Sequence, residues 1–124
     1  MKEGYFSYRD LAAYQRAKEL VVSVYKLLLQ FPKEENYALC DQLRRSAISV
    51  PSNIAEGIGR VSVKEQVHFL EIAYGSLCEM MCQLELAREL NYITDEQLTQ
   101  MEELAKDIIK PLSGLRTKRL SKLQ

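Results

Sequence analysis

One row of side chains combines unusual types with helical spacing. Gln42, Arg45, Ser49, Ser52 or Asn53, Glu56 and Arg60 step by three or four residues, which on a helix sets them along one side. A solvated face usually carries more Lys and Glu, whereas short hydroxyls and amides in a row let another helix approach and form defined hydrogen bonds. Two chemistries fit such a row. One is a polar seam, inside the bundle or between subunits, built from Gln42, Ser49, Ser52, Asn53 and Glu56. The other is a ligand or phosphate site. Arg44, Arg45 and Arg60 are the first candidates for contact with a partner.

A second set lies near the C-terminus, where Arg116, Lys118, Arg119 and Lys122 follow Leu115 with no acidic residue among them. Cations at a helix C-terminus meet the negative end of the dipole, worth ~0.3–1 kcal/mol each, and a solvated tail frays. Multiplied by the symmetry of an oligomer, the same four charges would line a rim able to hold RNA or DNA by its backbone.

Other chemistries lack their parts. Glu65-x-x-His68 has the spacing found in carboxylate-bridged di-metal bundles, but those sites need a second histidine and His68 is the only one. His68 is expected on a helix surface between Glu65 and Glu71. Cys78 and Cys82 are four apart, unlike the two-residue gap of redox and zinc motifs, and with Met80 and Met81 they read as adaptable packing groups. Cys40 is isolated. Nothing pairs a serine with His68, and Gly57-x-Gly59 lacks the strand and glycine spacing of a dinucleotide site. No catalytic residue, metal site or cofactor is therefore expected.

The elements that must position these residues are helical. Ala13, Ala17, Leu20, Val24, Leu27 and Phe31 form one apolar stripe, with Ser7 as a candidate cap and Pro32 as a stop. Leu39, Leu43, Ala47, Val50, Ile54 and Ile58 form a second, which Gly57 and Gly59 are expected to end through the left-handed region. Ser62 with Glu65 and Thr94 with Gln97 read as capping boxes opening two more helices. Their stripes run Val63, Val67, Leu70, Tyr74, Leu77, Met81, Leu84 and Leu98, Met101, Ala105, Ile108, Leu112, Leu115. Asn91 is a terminator for the third helix, and close packing is expected at Gly75. The spacing predicts helices over about 8–31, 35–58, 63–90 and 95–117, with a basic tail over 116–124. Short connections make this an all-α, antiparallel up-down-up-down four-helix bundle in a single domain. Pro51 and Pro111 are expected to kink rather than end their helices, because the apolar spacing continues through both. The other reading has Pro51 begin a short helix of its own.

Composition sets the bounds. The 124 residues carry 17 Lys+Arg against 17 Asp+Glu, so the whole chain is neutral, with no warrant for a nonspecific nucleic-acid coat. The zero conceals segregation: residues 1–60 carry 9 basic and 7 acidic groups, residues 61–110 carry 4 and 10, and residues 111–124 carry 4 and none. Three cysteines in a chain this size do not make a disulfide framework, which points to a reducing, cytoplasmic compartment. The start has no apolar signal region, and no apolar run reaches the ~20 residues of a membrane span.

The runs Gln42-Leu-Arg-Arg-Ser-Ala47 and Ser49-Val-Pro-Ser-Asn-Ile-Ala-Glu-Gly57 strongly resemble the signature of the four-helix-bundle proteins encoded by intervening sequences of bacterial large-subunit (23S) ribosomal RNA genes. Phe31-Pro32, Gly59-Arg60, Phe69-Leu-Glu-Ile-Ala-Tyr-Gly-Ser-Leu77, Glu79, Gln83, Leu84, Ala87 and Tyr92-Ile93 fit the same pattern, which covers about Leu11 to Leu112. The resemblance implies a homopentamer of antiparallel bundles with no established catalytic activity. A related branch, the accessory proteins of diversity-generating retroelements, forms a basic pentameric barrel that binds nucleic acid and a reverse transcriptase. This chain departs from that branch in its neutral charge and acidic middle. The expectation is a non-catalytic, self-associating bundle that binds RNA, DNA or a nucleoprotein partner. The alternative is a structural or protein-binding adaptor without nucleic-acid affinity.

Overall fold

A computed structural model of the chain describes residues 5–123, and the periodic apolar residues fold into four helices. After a 3-10 turn at Ser7–Asp10 come α1 (Ala12–Leu28), a 3-10 turn at Lys33–Glu35, α2 (Leu39–Ile58), α3 (Val63–Glu89), α4 (Asp95–Leu120) and a last 3-10 turn at Ser121–Leu123. No strand occurs among the described residues. Each helix packs on two neighbours, α1 on α2, α2 on α3, α3 on α4 and α4 on α1, with no diagonal pairing and with α2–α3 the most extensive. The connections are short, so consecutive helices run antiparallel.

Several ends differ from the spacing-based expectation. Ser7 caps nothing: it lies inside the first 3-10 turn, and α1 starts after an extended Leu11. The second helix begins at Leu39 rather than near residue 35, because Ala38 leaves the helical region and the Glu35 carboxylate accepts the Leu39 amide at 3.3 Å. α2 does end at Gly59, its C-cap, but neither Gly57 nor Gly59 takes a positive φ, so the exit is right-handed rather than through the left-handed region. Gly57 answers a different constraint. A Cβ there would sit 3.1 Å from the Phe69 Cβ and 3.2 Å from the Gln66 carbonyl, so its missing side chain allows α2 and α3 to meet. Gly75, by contrast, faces open space rather than a packed neighbour.

The left-handed exit belongs to Asn91 (φ 64°), with Tyr92 N–H donating to the Ala87 carbonyl and Asn91 N–H to Arg88. Ser62 accepts the Glu65 amide, and both arms of the Thr94–Gln97 box are made. The Gln97 and Gln30 side-chain amides bond each other, tying the start of α4 to the end of α1.

The core follows the stripes with one shift. α3 lies between α2 and α4 and buries a wide arc that includes Ala73, Ser76, Met80, Gln83 and Ala87 beside Leu70, Leu77 and Leu84. That arc is centred away from Tyr74, which is exposed. Leu28 is buried where Leu27 was expected, and Cys78 and Cys82 are exposed rather than packed.

Both prolines lie inside continuous helices. A proline at position i leaves the i−4 carbonyl without its helical partner, which for Pro111 is Asp107. Arg16 of α1 donates its Nη1 to that carbonyl at 3.0 Å. The helix therefore runs on to Leu120, and residues 116–120 are helical rather than a frayed tail. In a double-mutant cycle read by denaturant midpoints, Arg16→Ala should cost about 0.5–1.5 kcal/mol. The cost should shrink in a Pro111→Ala background, where residue 111 supplies an amide of its own. An equal cost in both backgrounds would show that Arg16 acts elsewhere.

Candidate functional site

Turning α2 at 100° per residue divides the polar row between two flanks. Asn53, not Ser52, faces α3, and its Nδ2 donates to both the Ser49 carbonyl and the Ser49 hydroxyl at 2.8 Å, spanning Pro51. The Ser49 and Ser76 hydroxyls bond each other at 2.7 Å. One turn earlier Ser46 Oγ donates to Gln83 Oε1 at 2.7 Å, and the Gln83 amide reaches Glu79 at 3.4 Å. Ser46, Ser76 and Gln83 are the buried polar residues of the described chain. Ser52 instead lines a groove against α1 with Tyr14, Val22 and Ile48. Gln42 and Glu56 are exposed, and Glu56 pairs with Arg60 at 2.5 Å. The seam is thus Ser46, Ser49 and Asn53 against Ser76 and Gln83, and Gln42, Ser52 and Glu56 lie outside it. A strict three-four step drifts around a helix of 3.6 residues per turn, which separates these residues from a row that looks uniform on paper.

The basic candidates fall into two places. Arg44 is bound to Asn36 through its carbonyl (3.2 Å) and side-chain oxygen (2.8 Å), and exposed Arg45 pairs with Asp41 at 3.4 Å. Both stand near the start of α2. Arg60, Arg116, Lys118, Arg119 and Lys122 lie at the other end of the bundle, where α2 and α4 finish and α3 begins. Gln66 organises that end. Its amide donates to the Arg60 carbonyl at 2.7 Å, and its carbonyl accepts Arg119 Nε at 3.1 Å. The Arg60 guanidinium lies 4.7 Å from the Phe69 ring centroid, and that of Arg116 lies 5.9 Å from Tyr74. Sequence reasoning missed Gln66, and no local pattern marks it.

Lys118 and Lys122 are exposed. Every acidic side chain of α3 and α4 is exposed as well, so the long flank of those helices is negative while their end beside Arg60 is positive.

Titration is perturbed away from the basic end. Hydrogen bonding to Glu35 raises the Tyr92 phenol above its ordinary value, and burial raises the Cys40 thiol, opposed by Arg44. Arg88 lowers the Asp95 carboxyl through a hydrogen bond. His68 is exposed, its ring edge-on to Phe69, and no three His, Cys, Asp or Glu side chains converge on a metal position among the described residues. No described helix is long and apolar enough to cross a membrane.

The sequence model of the 23S rRNA-intervening sequence proteins matches residues 9–114. A solved structure from Bacteroides thetaiotaomicron, of a protein with unknown function from the S23 ribosomal protein family, is similar at a TM-score of 0.74 and 26% identity. The match covers 84% of this chain and 97% of that one. No curated protein matches. The chain belongs to the 23S rRNA-intervening sequence protein family.

The seam has a mutational signature. Ser46→Ala leaves Gln83 Oε1 buried without its donor and should cost about 1–3 kcal/mol. Pairing it with Gln83→Leu should recover part of that loss, since no orphaned group remains. A double variant no more stable than Ser46→Ala, in chemical denaturation, would remove the seam from the account.

Proposed function

We propose that this family member is a non-catalytic, self-associating bundle that holds nucleic acid by its phosphate backbone at the basic end. By family resemblance the assembly is a ring of five. The three free cysteines suit a reducing, cytoplasmic setting. Self-association is supported by the α1–α2 face. One groove there is lined by Tyr8, Tyr14, Val22, Ile48 and Pro51, and a second, of about 680 Å³, by Tyr25, Leu29, Pro32 and Tyr37. Leu29 is 86% exposed and Tyr37 91%, and side chains of that size gain most from being covered. A closed ring needs two different patches per subunit. The outer row of α3, with Ile72 and Leu86 exposed, continued by its exposed cap residue Leu90, is the second.

The nucleic-acid half rests on one observation: α4 stays helical to Leu120, so Arg116, Lys118 and Arg119 stand on an ordered element beside Arg60. Phosphate affinity comes from such clustering rather than from total charge. The acidic flank of α3 and α4 restricts the contact to the end. The same flank favours a second reading, an adaptor that binds proteins and no nucleic acid.

Light scattering should give a mass near five times the 14.3 kDa chain, and Leu29→Asp with Tyr37→Asp should reduce it to one chain. A monomeric wild type would end the self-association reading. Labelled RNA and DNA should bind at low salt and weaken as salt rises. Lys118→Gln with Lys122→Gln should flatten that salt slope, for each chain in contact, by about 1.8 on duplex DNA and about 1.4 on single strands, while Arg44→Gln with Arg45→Gln leaves it intact. An assembly that binds neither polymer would favour the adaptor.

A further inference from the structure

The groove between α3 and α4 gathers three of the chain's sulfur atoms. Cys78 and Cys82 are both free and exposed, and with Met81 they line a depression of about 250 Å³ floored by Leu77, Ala105 and Ile109. Cys78 stands three residues from Met81 and four from Cys82. On a helix those separations bring Cβ atoms to about 5–6 Å, close enough for side chains to converge on one atom. The donor set is uniform, with two thiols and a thioether.

Harder ions are poorly served there. Zinc takes four donors of nitrogen, sulfur or carboxylate type, and no three His, Cys, Asp or Glu side chains converge among the described residues. That excludes a site completed by Glu85, although Glu85 stands at the rim. A soft monovalent cation of filled d shell needs only two or three ligands and prefers thiolate and thioether. The apolar floor keeps water from competing on the inner side.

We propose that Cys78, Cys82 and Met81 form a binding site for monovalent copper. The two thiols each release a proton to solvent as two sulfur–copper bonds form, and the Met81 thioether supplies the third contact without a proton or a change of oxidation state. The site lies on the α3–α4 groove, apart from the basic end, and does not depend on nucleic-acid binding.

The test is anaerobic titration of the reduced, assembled protein with copper(I) against a chromophoric copper(I) chelator. Zinc(II) is titrated in parallel against a zinc chelator. The expected result is one copper withheld per chain and no zinc. Cys78→Ser and Cys82→Ser should each abolish retention, Met81→Leu should lower affinity without changing stoichiometry, and Cys40→Ala should change neither. These exposed thiols can be replaced without opening the core, so circular dichroism should report an intact fold in the serine variants. The proposal is overturned if the chelator strips all copper from the wild type, if the Cys78→Ser, Cys82→Ser double variant retains it, or if zinc is withheld equally. A stoichiometry of one copper per two chains would also overturn it, and an inert Met81→Leu would remove the thioether.

Discussion

How closely α2 and α3 approach governs the rest of this bundle. Two helices can come together only as far as their facing side chains allow, and here the facing residues are Ser46, Ser49, Asn53 and Gly57 against Ser76, Gln83 and Phe69. Small hydroxyls permit the approach but bring polar atoms out of water, which is tolerable only if each finds a partner. The pairs at 2.7 Å provide that, and they also select one register, since a slide of either helix would strand several donors together. Fixing that register fixes Gln66, and Gln66 in turn holds the Arg60 carbonyl and the Arg119 guanidinium. The basic end is therefore set by contacts some turns away from it.

The two prolines sit in different surroundings. Near Pro51 the Asn53 side chain reaches back across it to Ser49, although the carbonyl that Pro51 leaves without its helical partner is that of Ala47. At Pro111 the orphaned Asp107 carbonyl is met by Arg16, 91 residues away from it along the chain. Proline inside a helix ordinarily invites an end or a kink. That α4 continues for nine residues beyond it is what gives the last arginines and lysines a defined place.

Much of the fold was legible because helix periodicity and caps are local signals. Thr94 with Gln97, Asn91 and the stripes through Leu20, Leu43, Leu70 and Ile108 each report on their own neighbourhood. The seam was only half legible: Ser49 and Asn53 stand in the polar row, but Ser76, which bonds Ser49, and Gln83, which bonds Ser46, sit on a helix whose apolar stripe was drawn elsewhere. Ser46, the most buried member, was hidden inside an Arg-rich run. The exposure of Gly75, Cys78 and Cys82 could not be read at all, because which arc of α3 faces out depends on having neighbours on two sides. For the basic residues, type and number were plain from the sequence, whereas their division between opposite ends is a property of the topology.

Segregation of that kind gives an object without net charge a direction. A neutral body feels little pull from a distant polyanion, yet one with a positive end and a negative flank experiences a torque in the same field. It would turn before it arrived. Attraction would then contribute little to how often such a bundle meets a charged polymer and much to which end touches first. In the proposed ring, in-plane components of these dipoles would cancel and axial ones would add, so that such a ring would have a top and a bottom.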